Sequence, residues 1–265
     1  MIFLKRSTFK VRARRILERN GGSARLVCVF VLLTRLLLWS AVALLSLTAL
    51  RMSAELEAFD YLGVISLSLT VLGIILCINM LVYLRFIADR WFIMNSSEMR
   101  FFDLFVPPRL RLLLKLIALS VIKLSFSTAV FCVYELPCAA AALVLRYLLT
   151  SGSVKISLLV PTAVLIAVLF AGGFFFFFAE IQRFAMINYI TAVHPEIKPS
   201  KAIRLSFESV RDKRFFLAVF KLSFFGWFSL CPLALPILFV VPYYSQSVAE
   251  TAKPSLKASS SVLTD

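Results

Sequence analysis

Long apolar stretches alternate with short basic ones along this chain. Four apolar runs, 26–50, 61–87, 110–134 and 156–178, reach the roughly 20 residues that a helix needs to cross the hydrocarbon core of a bilayer. No water is present there to bond the backbone, so a spanning segment must satisfy its N–H and C=O groups internally, as helix. A fifth stretch, 215–248, is too long for one span and holds Pro232, Pro236 and Pro242, none of which donates a helical hydrogen bond. It reads as two spans, 215–231 and 233–248, meeting in a tight turn around 231–236. The run 138–150 follows Pro137 and is too short to cross alone. It is either a kinked continuation of the third span or a segment at the outer surface. The pattern predicts an all-α, polytopic transmembrane bundle of about six spans in a single membrane domain, 1–250. The polar, Ser-rich tail 251–265 has no periodicity and is expected to be disordered and cytoplasmic.

Three polar segments between the runs carry a helical period. In the clearest, Ser200 is placed to cap a helix whose Ile203, Phe207 and Val210 line one face while Arg204, Glu208 and Arg211 line another. The N-terminal stretch sets Phe9, Ala13, Ile16 and Leu17 on one side among many arginines, and 89–107 is the third candidate. Amphipathic helices on the inner surface follow, each basic side chain near an anionic leaflet being worth about 1 kcal/mol.

Composition agrees with the pattern. The chain is 61% hydrophobic with 26 phenylalanines among 265 residues, well above the roughly 45–50% apolar usage of soluble domains. Its formal charge of +15 would suit nucleic acid, but the basic residues are grouped at the ends of apolar runs and no zinc-finger or RNA-binding signature accompanies them, so no nucleic acid partner is expected. The segments assigned to the inner side hold most of the lysines and arginines. The outer loops hold only Arg51, Arg146 and Lys155, with Glu55, Glu57 and Asp60 in the first of them. The positive-inside rule then places both termini in the cytoplasm of a multi-pass cell-membrane protein; a five-span count would put the tail outside. The first apolar run begins too far in and is too long for a cleaved signal peptide, so it is expected to stay as an anchor.

Candidate chemistry is sparse. An ionisable side chain at membrane depth is costly, about 2.5–3.5 kcal/mol for Arg or Lys at a helix centre, and Arg35 and Lys123 fall deep in the first and third spans. No acid is expected at their depth: Glu135 falls near the outer edge and Glu180 near the inner one. Arg35 and Lys123 would together attract an anionic lipid headgroup or solute, or else bond to carbonyls or snorkel; Lys115 and Lys221 are shallow enough to snorkel. Asp60, Asp89, Asp103 and Glu98 read as solvated loop carboxylates. Gly172 and Gly173 would let another helix approach. Trp91, Tyr243 and Tyr244 suit an interfacial anchor, Trp39 and Trp227 packing. The five cysteines form no C-x-x-C pair and read as buried thiols, with one disulfide among Cys132, Cys138 and Cys231 left open. The single histidine, His194, precedes Pro195 in a turn. No P-loop, H-E-x-x-H or G-x-S-x-G pattern is present, so neither an enzyme, a metal site nor a cofactor is expected.

Short matches along the chain are familiar in combination: Arg14-Arg15-Ile16-Leu17, Asp103-Leu104-Phe105, Tyr189 followed by His194-Pro195, Ala202 with Ser206, and Phe225-Gly226-Trp227 followed by Pro242-Tyr243. In these the chain resembles the bacterial integral membrane family called domain of unknown function 975, more loosely the membrane domain of some glycerophosphodiester phosphodiesterases. The resemblance implies a multi-helix bacterial membrane domain in which Gly226, Trp227, Pro242 and Tyr243 form a structural motif, and it carries no established activity. The expected function is non-enzymatic: binding anionic membrane lipid, or assisting export or envelope assembly. The alternative is a small transporter or permease subunit working with a separate ATPase. A membrane protein partner and a homo-oligomer both stay open.

Overall fold

A computed structural model describes residues 2–55, 61–94, 101–105, 110–150, 156–229 and 237–263. Among them every regular element is a helix. The chain divides into two compact units whose segments interleave along it.

Unit 1 comprises Met1–Ala118, Asn188–Ile197 and Ser223–Asp265. Its first helix, α1 (Ile2–Glu55), has one non-helical residue, Asn20, at φ −121° and ψ 23°. Gly21 and Gly22 follow directly, and glycine is the ordinary residue least suited to a helix interior. The break separates the basic arm from the apolar half. Helix α2 (Tyr61–Met94) returns alongside α1. Gly73 is where they come close, since a Cβ there would lie 3.3 Å from Leu45 Cδ1.

Burial divides these two helices into zones. From Leu33 to Leu50 on α1 and from Val64 to Met80 on α2, large apolar side chains stand exposed, a bare band that only a lipid-like solvent would tolerate. Toward the basic end the chain is packed like a soluble core. Ala13, Ala24, Val27 and Val31 of α1 are buried there, as are Leu84, Phe86, Trp91 and Phe92 of α2. They are joined by Tyr189 and Ile190 of the short helix α5 (Ile187–Val193).

Two helices of the last third of the chain enter this base. Helix α8 (Phe225–Phe228) is a single turn and α9 (Ile237–Leu263) has 27 residues. Helix α9 lies along the basic half of α1: Arg25 stacks over Phe239 at 5.0 Å, and the Gln246 amide donates to the Phe92 carbonyl at 3.3 Å. The tail expected to be disordered is thus helical through Leu263. Val248, Ala249, Ala252 and Leu256 recur at three- and four-residue spacing and are buried, so packing supplies what the polar composition withheld.

Unit 2 comprises Leu119–Ile187 and Lys198–Leu222. Helix α3 (Leu110–Thr150) enters it at Leu119 and runs without a break through Pro137. The 138–150 run is therefore the continuation of the third helix. Helix α4 (Ile156–Ile181) leads through a 3-10 turn, Gln182–Phe184, and helices α6 (Pro199–Val210) and α7 (Arg214–Leu222) complete the unit. The zoning recurs. Val121 to Leu149 on α3 and Val160 to Phe176 on α4 are studded with exposed apolar side chains, while Leu119, Phe184 and Ile187 form a core with Phe126, Ile203 and Phe207. The predicted faces of α6 hold, with Val210 buried and the exposed Arg204 paired to Glu208 at 2.8 Å. Its start differs. Lys198 is the N-cap and Pro199 opens the helix, so Ser200 lies inside the first turn and caps nothing.

Among the described residues four stretches are long and apolar enough to cross a membrane: Ser7–Arg51, Val64–Met94, Leu110–Tyr147 and Val160–Val193. A fifth and a sixth such stretch are not found among the described residues. Helix α7 has nine residues, about 13 Å of helix against a core of about 30 Å, and α9 buries Gln246, Ser247, Glu250 and Thr251. The expected turn at 231–236 lies outside the described residues, as do Asp60 and Glu98.

Candidate functional sites at the basic end of each unit

In unit 1 the polar residues gather where α1 and α2 leave the exposed band. Arg35 of α1 faces Arg85 and Asp89 of α2 within electrostatic range. Asp89 is half-buried within α2, not in a loop, and accepts a hydrogen bond from Asn188 Nδ2 at 2.5 Å. It also lies within electrostatic range of the Tyr189 and Tyr244 hydroxyls. Two expectations are corrected here. Arg35 has an acid within electrostatic range, and it lies at the inner margin of the band, because the run of exposed apolar side chains on α1 starts at Leu33.

The surrounding base is unusually polar. Gln246 donates to Glu250 Oε1 at 3.3 Å, and Glu250 pairs with Lys253. Arg90 Nε, Trp91 Nε1, Thr191 Oγ1 and Ser247 Oγ are buried with no hydrogen-bond partner among the described residues. The tryptophan roles are the reverse of those expected. Trp91 is buried at 1% exposure, edge-on to Phe92, whereas Trp39 and Trp227 stand 60% and 56% exposed. Lys115 does not snorkel: its ammonium donates to the Pro195 carbonyl at 3.0 Å and to that of Ile197, holding the turn that follows His194.

The residues of the family-like motif have unequal parts. Tyr243 and Pro242 lie on α9, where Tyr243 meets the buried Phe224 edge-on at 5.6 Å. Gly226 sits in open space, with nothing within 4 Å of where a Cβ would be. Phe224, which was not singled out in the sequence, fastens this corner. It also meets Tyr244 at 5.3 Å and carries the Lys10 ammonium 4.3 Å from its ring centre. Lys10 in turn donates to Ser223 Oγ at 3.0 Å.

In unit 2 the chemistry is cationic. Arg183, Arg211 and Arg214 line a pocket of ≈ 410 Å³ together with Phe207, Glu208 and Asp212. Glu180, on the last turn of α4, pairs with Arg183 at 2.5 Å and with Arg214, and so fixes two of the three guanidinium groups. Ser206 of α6 donates to the Arg183 carbonyl at 2.5 Å, tying the 3-10 turn to the helix that forms one wall. Glu208 is already engaged by Arg204, whose guanidinium is pushed up from its ordinary value by that hydrogen bond. Arg211 is exposed at the rim. The volume lies in the range of small-ligand sites, and a fork of arginines is the usual receptor for phosphate oxygens.

Lys123 is half-buried on α3, between Leu119 and Phe126 of the core, and so also at the inner margin of the band. Arg35 belongs to unit 1 and Lys123 to unit 2. Cys132 and Cys138 carry free thiols, and Cys231 lies outside the described residues. No group of three metal-ligating side chains occurs among the described residues. The arginine pocket left one trace in the sequence, the cationic face of α6; its other walls come from the end of α4 and the start of α7, which only folding brings together. No family, curated protein or solved structure matches this chain.

Proposed function

We propose that the chain is a non-enzymatic, multi-pass cell-membrane protein that holds anionic lipid headgroups at its basic end, with the unit 2 pocket as the headgroup seat. The observation that carries the reading is the ≈ 410 Å³ pocket framed by Arg183, Arg211 and Arg214. Two of these are braced by Glu180, and Arg211 is left to meet a ligand. The seat is preferred to Arg35 and Lys123 as the main anionic contact, since three guanidinium groups line one pocket there. A role in export or envelope assembly is compatible with such a seat, as is the resemblance to the bacterial family.

The finer topology belongs to the same reading. Four crossings or six both return the C-terminus to the side of the N-terminus, which the positive-inside rule makes cytoplasmic. The shortness of α7 and the polar side chains buried along α9 favour four.

The test is lipid retention by the purified full-length protein, by native mass spectrometry after passage through mixed phosphatidylglycerol and phosphatidylcholine nanodiscs. Phosphatidylglycerol should be retained preferentially. Arg211→Gln should weaken that preference about fivefold, the value of about 1 kcal/mol per basic side chain near an anionic surface. Equal retention of the two lipids, or an unaffected Arg211→Gln protein, would refute the seat. The second reading, a small transporter or permease subunit, is favoured by one observation, an acid buried within the exposed band of unit 2.

A further inference from the structure

That acid is Glu135. It lies midway along the exposed band of α3, between Val121 and Leu149, yet is itself only 3% exposed. Neither carboxylate oxygen has a hydrogen-bond partner among the described residues. Its cover is the backbone of α4 at Gly173, where a Cβ would come within 3.2 Å of Glu135 Oε1 and 3.1 Å of the Tyr134 carbonyl oxygen. Seven residues further along α4, on the same face and about 10 Å away by helical rise, is Glu180. That carboxylate is paired twice, with Arg183 and Arg214. Phe177 lies between the two levels, meeting Phe131 edge-on at 5.3 Å. One carboxyl of the pair is therefore matched, and the other is unpaired among the described residues.

A buried carboxylate without a partner is strongly disfavoured, and ionisable groups at membrane depth recur on ion and proton pathways. Among the described residues Glu135 has no hydrogen-bond or ion-pair partner, so a neutralising charge from outside is what the site calls for. We propose that Glu135 forms a small-cation site at the crossing of α3 and α4, occupied by a proton or an alkali ion, with the Tyr134 carbonyl as a second oxygen and Gly173 as the gap that admits the occupant. The site does not depend on the headgroup seat, and either stands if the other fails.

Dicyclohexylcarbodiimide tests it on the purified full-length protein in detergent. The reagent reacts with a protonated carboxyl in apolar surroundings. The acid proton moves to a carbodiimide nitrogen, the carboxyl oxygen bonds to the central carbon, and the adduct rearranges to a stable acylurea that peptide mass spectrometry locates. In choline buffer Glu135 should be labelled and Glu180 should not. Suppression of labelling on raising the pH identifies the proton as occupant. Suppression of fivefold or more by sodium or potassium chloride at fixed pH adds the alkali ion. Gly173→Ala should cut labelling at least fivefold by closing the gap, and Gly172→Ala should not, since nothing lies within 4 Å of a Cβ there. The proposal is overturned if Glu135 stays unlabelled, if neither pH nor alkali salt alters its labelling, or if the two glycine variants behave alike.

Discussion

At the scale of the residue, depth decides what each polar or aromatic side chain does, and depth was the quantity least legible in the sequence. Trp91 looked like an interfacial anchor because it follows an arginine near the end of an apolar run, yet it is buried in the base of unit 1. Trp39, in mid-run, is bare. Trp91→Ala should cost about 3–5 kcal/mol, the usual range for emptying a buried aromatic site. Trp91→Phe should cost far less, because the indole N–H it removes has no partner. Trp39→Ala should leave the melting temperature in detergent nearly unchanged, so thermal unfolding of the three variants separates the roles. Asp89 likewise read as a solvated loop carboxylate. Its hydrogen bond from Asn188 and its position facing Arg35 predict that Asp89→Ala loses about 1–3 kcal/mol, the charge-assisted bond plus the unpaired donor it leaves. A cost near zero in the same melt would return Asp89 to the solvated class.

At the scale of the element, what was legible followed the strength of the periodic signal. The four long apolar runs became helices, and the two faces of α6 are as Ile203, Arg204, Phe207 and Glu208 required. Helix α9 was missed beyond residue 250 for a physical reason. Beyond residue 250 the buried positions described are Thr251, Ala252 and Leu256, too few and too weakly apolar to print a period on a Ser-rich stretch, and Pro254 sits within the helix. Such a face is recognisable only once α1 is known to lie against it. Ala249 and Ala252 are fully buried, so Ala252→Leu should overpack the contact and cost about 1–3 kcal/mol. Limited proteolysis should leave 248–256 intact in the wild-type protein and open it in this variant. Cleavage of that segment in the wild type at the rate of an unfolded peptide would contradict the helix.

At the scale of the whole molecule, each unit joins a bare apolar band to a packed, basic base, and the sequence carried this division in coarse form, as apolar runs flanked by lysine and arginine. What the sequence could not fix was where along each helix the band begins. Helices α1 and α3 continue past the expected spans, to Glu55 and Thr150. On α3 that extension puts Lys123 at the inner margin and moves Glu135 into the band, while on α1 the band starts at Leu33 and so leaves Arg35 at its inner margin. The arginine pocket was illegible for a related reason, being assembled from chain segments that no local pattern connects.

The claim on which the account rests is that the basic base faces the cytoplasm and that the chain does not cross again between α7 and α9. Ser229, exposed just after α8, reports on it directly. The measurement is labelling of a single cysteine at Ser229, in a background with the native cysteines replaced by serine, by a membrane-impermeant maleimide applied to intact cells. A cysteine at the exposed Tyr147, at the far end of α3, is the outward control. Ser229→Cys should be labelled only after permeabilisation, and Tyr147→Cys at once. Labelling of Ser229→Cys from outside intact cells would contradict that claim and restore a fifth and sixth crossing.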